Sequence, residues 1–187
     1  ERAGAGPIAG GASMPTAAEL HQALADCYRD GDLVYTNSSL PIREQERFLP
    51  PIAADVTFLA NRGANGIDGL ISSGIGAALA TDRPTVIITG DVALLHDLGA
   101  LAAVKLARAP VRILVINNGG GRIFDRLPQH DSLPPDEFRE LMTTPPGIDF
   151  ARAAALFGLP HSAITDLDRL PAALDAGTGL IEVAIPA

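Results

Sequence analysis

One cysteine, Cys27, is all that the 187 residues hold. It cannot form an internal disulfide, and its place in a helical apolar pattern favours a buried structural thiol. A lone thiol of this kind fits a reducing, cytoplasmic setting. Basic residues are also scarce, with 14 Lys plus Arg against 22 Asp plus Glu and a formal net charge of −8. No basic run offsets that balance, which argues against a nucleic-acid partner, because phosphate backbones are held by concentrated Lys and Arg. Long apolar runs are missing too. Stretches such as Leu98 to Val104 fall well short of the roughly 20 residues that span a bilayer, so a membrane-spanning helix is not expected. Glu1 to Ser13 has no initiator Met, basic n-region or apolar h-region, so it reads neither as a natural start nor as a signal peptide. Its Gly, Ala and Pro content reads as an interdomain linker. Residues 14–187 would then be the C-terminal domain of a longer protein.

What is present is a core-forming composition: 47% of residues are apolar and 19% charged, the balance of a globular chain. Thr16-Ala17-Ala18-Glu19 has capping-box spacing, and Leu20, Ala23, Leu24 and Cys27 share one helical face, so a helix should run from there to about Arg29. Strands are expected at Leu33 to Thr36, Val56 to Leu59, Thr85 to Thr89, Val111 to Ile116 and Leu180 to Ile185. Helices are expected between them at Asp68 to Ala80, Ala93 to Leu106, Asp149 to Phe157 and Asp166 to Ala176. Continuous apolar strands alternating with helices define an α/β fold, a doubly wound parallel sheet with helices on both faces. Residues 119–146 are rich in Gly and Pro, with a short helix expected near Pro135 to Met142. An irregular stretch of that length in a compact domain is usually functional or mobile.

In such sheets ligands bind beyond the C-terminal strand ends. The strand from Thr85 runs into Gly90-Asp91, and the strand from Val111 runs into Asn117-Asn118-Gly119-Gly120-Gly121. If the two strands are near neighbours, a carboxylate and a carboxamide oxygen meet beside a glycine turn. Hard oxygen donors suit Mg²⁺, which keeps few protein ligands and completes its octahedron with water or a substrate diphosphate. Backbone amides of the turn Gly90, Asp91, Val92 and Ala93 would hold phosphate oxygens at the next helix start. Singly, the Asp also reads as a helix cap and the glycines as a plain loop; it is the pairing that points to a Mg-diphosphate site. Gly74-Ile75-Gly76 lacks the third glycine of a dinucleotide fingerprint and lies within helical periodicity, so close helix packing is the better account. The four histidines show no metal-ligand spacing, and surface or satisfied positions are expected for them, although His96 follows closely on the Gly-Asp turn. Arg122 and Arg126 flank the glycine turn without an assignable role.

The Gly90-Asp91 pair with Asn117-Asn118 resembles the thiamine diphosphate and magnesium motif of thiamine-dependent enzymes. Three further segments narrow the resemblance: 37–43 (NSSLPIR), 61–69 (NRGANGIDG) and 118–124 (NGGGRIF). Together they resemble the 2-succinyl-5-enolpyruvyl-6-hydroxy-3-cyclohexene-1-carboxylate synthase family of menaquinone biosynthesis, clearly over residues 36–129 and loosely beyond. The resemblance implies the diphosphate-binding domain of a carboligase, a transferase that decarboxylates 2-oxoglutarate and adds the remaining succinyl unit to isochorismate. It implies that Asp91 and Asn118 bind Mg²⁺ through side-chain oxygens and Gly120 through its carbonyl. It implies that Ile67 props the bent cofactor, that Ser39, Arg43 and Arg62 bind carboxylate-rich substrate, and that Ile123 and Phe124 lie near it. Val92 stands where the general motif has Gly, a departure that this synthase subfamily shares. Taken without the resemblance, Ile67 and Phe124 also read as core residues, and the arginines as solvated ones.

Thiamine chemistry needs a Glu that protonates the aminopyrimidine ring. In this superfamily it lies on an upstream pyrimidine-binding domain, usually from a second subunit of a homo-oligomer. None of Glu1, Glu19, Glu44, Glu46, Glu137, Glu140 and Glu182 has a matching context, so no catalytic residue is assigned here and the isolated chain is expected to be inactive. The competing readings are another thiamine-dependent 2-oxo acid enzyme of acetolactate synthase or pyruvate oxidase type, a nicotinamide-dependent dehydrogenase, and a non-catalytic binding module.

Overall fold

The computed structural model describes residues 14–61 and 63–186; the expected linker at 1–13 lies outside them. The first helix, α1 (Ala17–Cys27), starts at the expected capping box. Glu19 N donates to Thr16 Oγ1 at 3.2 Å, and Thr16 N donates to the Glu19 carboxylate at 2.8 Å. Strand β1 (Leu33–Thr36), helix α2 (Leu40–Phe48), strand β2 (Thr57–Leu59), helix α3 (Leu70–Thr81) and strand β3 (Thr85–Gly90) follow. Next come α4 (Asp91–His96), a 3-10 helix at Leu98–Leu106 and β4 (Val111–Asn117). The irregular region holds a 3-10 turn at Arg122–Arg126, α5 (Gln129–Ser132), α6 (Pro135–Phe138) and a π turn at Arg139–Thr143. The chain continues through α7 (Phe150–Leu156), β5 (His161–Ile164), a 3-10 turn at Leu167–Arg169, α8 (Leu170–Asp175) and β6 (Gly179–Ala184).

Several expectations need correction. Helix α2 and strand β5 are not foreseen, because α2 is dominated by charged and polar residues and β5 has no apolar run. The expected single helix from Ala93 to Leu106 starts earlier and divides at Asp97. There the Asp97 backbone leaves helical geometry, at φ −113° and ψ 33°, and its carboxylate accepts from the backbone amide of Ser72 at 2.8 Å and from its hydroxyl. The expected helix from Pro135 to Met142 is α6 followed by the π turn. The expected helix from Asp166 is a 3-10 turn capped by the Asp166 carboxylate, with Pro171 then sitting in the first turn of α8, where a missing N–H costs nothing. Cys27 is only partly buried. His21 is neither exposed nor satisfied: it is 0% exposed and neither ring nitrogen has a partner.

The six strands form one parallel sheet in the order β2-β1-β3-β4-β6-β5. Odd and even strand positions feed opposite faces. Tyr35, Ile87, Ile113, Val115 and Leu180 pack with α3, the 3-10 helix and α7, whereas Val34, Ile88, Leu114, Ile116 and Val183 pack with α1 and α8. Both faces are therefore covered, as the apolar strands require. Gly74 belongs to helix packing: a Cβ there would stand 2.8 Å from the Ile87 side chain. The chain goes from β1 outward to β2 and returns on the other side of β1 to β3, so the order reverses between β1 and β3. A crevice opens at the C-terminal ends of strands at such a reversal.

Candidate functional site

Strands β3 and β4 are direct neighbours, with Gly90 opposite Ile116, so Asp91 and Asn118 leave the sheet side by side. Asp91 is 1% exposed. Its Oδ1 accepts from the Val92 amide at 2.8 Å, and its Oδ2 is buried without a partner. Burial pushes the Asp91 carboxyl up, opposed by the backbone amides of Val92, Gly120 and Gly119 that face it. The Asn118 Oδ1 is likewise buried and unpartnered. Two desolvated oxygens that accept no hydrogen bond are costly to fold around. A cation between them would remove that cost. Among the described residues no group of three or more His, Cys, Asp or Glu side chains gathers. A metal here would draw its remaining ligands from backbone carbonyls and from the bound molecule, the pattern of Mg²⁺ with a diphosphate.

The glycine turn is shaped by what lies over it. Gly120 has φ +131°, and a Cβ there would fall 2.3 Å from the Thr143 carbonyl oxygen, so only glycine fits. The Gly121 amide donates to that same carbonyl at 2.6 Å, and the Gly120 carbonyl accepts from Arg122 N at 2.8 Å. The second lone pair of the Gly120 carbonyl remains for a further partner. Arg122 bends back over the turn, its Nε donating to the Asn118 carbonyl at 3.2 Å and its guanidinium pairing with Asp125 at 3.5 Å.

A cavity of about 290 Å³ opens over this turn, walled by residues from every strand end at the crevice. Gly90, Asp91, Val92, Ala93, Asn118, Gly120, Ile67, Ser39, Ile123 and Phe124 all line it. Phe124 is 39% exposed, a cavity wall and not a core anchor. Arg43 is not among the lining residues; it is exposed on α2, with Nη1 donating to the Ser39 carbonyl at 2.7 Å. Arg62 lies outside the described residues. His96 also stands apart, 3.3 Å from Asp68. Among the wall residues that sequence reading misses are Leu40, Pro41, Arg122 and Thr144. The NSSLPIR segment carries the first two, but nothing in the pattern points to Thr144, which comes from a turn following the π segment.

The loop that presents Ile67 is tied to the sheet. The Tyr35 hydroxyl donates to Asn61 Oδ1, Asn61 Nδ2 reaches Ser73 Oγ at 3.4 Å, and Ser73 Oγ donates to the Gly69 carbonyl at 2.8 Å.

A parallel α/β sheet with a mainly apolar cavity at its switch point, into whose floor two buried, unpartnered oxygens are set, defines a class, and the sequence comparison agrees with it. Residues 49–183 match the family "Thiamine pyrophosphate enzyme, C-terminal TPP binding domain", and the chain belongs to that family. Among curated proteins it is similar to 2-succinyl-5-enolpyruvyl-6-hydroxy-3-cyclohexene-1-carboxylate synthase of Myxococcus xanthus, 41% identical over 83% of this chain and 27% of the relative. The synthase of the same name from Chloroflexus aurantiacus is 42% identical over 82% of this chain and 26% of the relative. That from Shewanella amazonensis is 37% identical over 90% and 30%. The chain thus spans little more than a quarter of the length of these curated relatives, and it corresponds to their C-terminal, cofactor-binding domain.

Proposed function

We propose that this domain is the Mg²⁺ and diphosphate half of a cytoplasmic, homo-oligomeric synthase that decarboxylates 2-oxoglutarate and adds the succinyl unit to isochorismate. The observation that carries the reading is the pair of buried, unpartnered oxygens, Asp91 Oδ2 and Asn118 Oδ1, on adjacent strand ends. These two oxygens and the Gly120 carbonyl would hold Mg²⁺, and the amides around Gly90 to Ala93 would hold phosphate oxygens. When bound, thiamine diphosphate supplies the carbon nucleophile and the electron sink for decarboxylation.

The remaining residues act by shape and charge. Ile67, which lines the cavity from the loop before α3, would support the bound cofactor as an apolar prop. Ile123, Phe124, Leu40 and Pro41 give the cavity apolar walls, and a dry wall strengthens the electrostatic contacts made inside it. Ser39 at the rim would meet substrate carboxylate, with the Arg43 and Arg62 guanidinium groups as fork-shaped partners. The acid that protonates the aminopyrimidine has no counterpart in this chain. It would come from the pyrimidine-binding domain of a second subunit, so the isolated domain should be inactive.

The test uses the full-length enzyme. CO₂ release is measured from 2-oxoglutarate and from pyruvate with Mg²⁺ and thiamine diphosphate, with and without isochorismate. Isochorismate-stimulated release from 2-oxoglutarate is the expected result. Release from pyruvate alone would reassign the domain to an acetolactate synthase or pyruvate oxidase type, and no release from either acid would overturn the catalytic reading.

A further inference from the structure

A row of polar side chains crosses three strands on one face of the sheet and ends at the glycine turn. His161 of β5 lies 3.3 Å, Nε2 to Oε2, from Glu182 of β6, and neither side chain is more than a fifth exposed. The other carboxylate oxygen of Glu182 accepts from Asn117 Nδ2 of β4 at 2.7 Å. The carboxamide oxygen of Asn117 then accepts from the Gly119 amide at 3.3 Å. Asn117 immediately precedes Asn118.

A carboxamide can present either its oxygen or its NH₂ to a neighbour. The Glu182 carboxylate accepts only, so it selects the orientation in which Asn117 Oδ1 faces the Gly119 amide. In the reversed orientation an NH₂ would meet that amide and an oxygen would meet the carboxylate. The selection matters because Gly119 and Gly120 both have positive φ, +76° and +131°, and two consecutive glycines leave the turn soft unless something outside it sets the geometry. We propose that Glu182 is a positioning residue: through Asn117 it fixes the turn that presents the Asn118 oxygen and the Gly120 carbonyl to the metal. This inference rests on the Mg²⁺ reading of Asp91, Asn118 and Gly120.

The experiment uses the full-length enzyme with Glu182→Leu, Glu182→Gln and Asn117→Asp. Thiamine diphosphate binding is titrated calorimetrically over a series of Mg²⁺ concentrations. Hydrogen exchange of the segment containing Gly119 to Gly121 is followed in the cofactor-free protein, and thermal melting checks the fold. Losing one hydrogen bond to a charged group should raise the Mg²⁺ needed for half-maximal binding about tenfold in Glu182→Leu and speed exchange in the turn. Glu182→Gln should lie between wild type and the Leu variant, because its amide oxygen can still accept from Asn117 but its NH₂ no longer excludes the reversed orientation. Asn117→Asp keeps the shape but sets two carboxylates together, so it should behave like the Leu variant and supplies the answer if Glu182→Leu does not fold. An unchanged Mg²⁺ requirement with unchanged exchange in folded Leu or Asp variants would overturn the assignment, as would a Gln variant more impaired than Leu. Wild-type enzyme whose cofactor binding ignores Mg²⁺ would overturn the metal reading itself, while faster turn exchange in the variants would still stand for the positioning effect.

Discussion

Asp91 separates what the fold needs from what the ligand needs. Its Oδ2 is buried with no donor, so the folded protein without ligand bears a desolvation cost that a neutral side chain reduces. Asp91→Asn should therefore melt at an equal or higher temperature than wild type while losing at least about tenfold in Mg²⁺-dependent cofactor affinity, a difference of about 1.4 kcal/mol. A variant with unchanged calorimetric affinity would sink the metal assignment. At this scale strand ends and the resemblance together mark Gly90, Asp91, Asn118 and Gly120 in the sequence, and the structure brings all four to one cavity. The contact of Glu182 with Asn117 is not legible in the sequence. Glu182 sits 65 residues from Asn117 in the chain, in a strand whose pattern reads only as core, and no local spacing reveals a partner across the sheet. The expectation of a surface or satisfied His21 fails for a similar reason, since an isolated histidine in a helix gives no sign of which neighbours deny it solvent.

Helix α3 shows how two glycines of one motif diverge once an element is packed. Gly74 faces β3, where a methyl group would press on Ile87, whereas Gly76 has nothing within 4 Å of its missing Cβ. Gly76→Ala should stabilise by up to about 1 kcal/mol through helix propensity. Gly74→Ala gains the same propensity but overpacks a core position, at a cost of about 1–3 kcal/mol, so it should be neutral to destabilising. Chemical denaturation of the two variants checks the contrast, and equal effects would refute the packing account. Elements with strong apolar periodicity, α1, β3, β4 and β6, stand within a residue or two of their expected bounds. Two of the misses fall where a tertiary contact acts: the Asp97 carboxylate accepts from Ser72 where the helix divides, and β5 pairs with β6.

Across the whole molecule, stability should carry the signature of one buried histidine. Burial holds the His21 imidazole down at about 4, against 6.5 in the unfolded chain. Between those values the unfolded state binds more protons, so stability present above pH 6.5 is lost as pH falls toward 4. That loss is on the order of 3 kcal/mol. His21→Leu should remove it and also relieve two unsatisfied ring nitrogens, so the variant should be more stable at neutral pH and its advantage should widen on acidification. Melting curves from pH 7.5 to 4 test this, and parallel wild-type and variant profiles would refute it. The parallel sheet has a further consequence, for synthesis. Every strand pairing is made across an intervening crossover, and β4 gains its second neighbour only when β6 arrives. A nascent chain that has emerged as far as Asn118 already carries Asp91 and Asn118, yet the strand bearing Glu182 has still to be translated. On the proposed roles of these residues, cofactor capture waits for the sheet to close, which would make the site one of the last parts of the domain to mature.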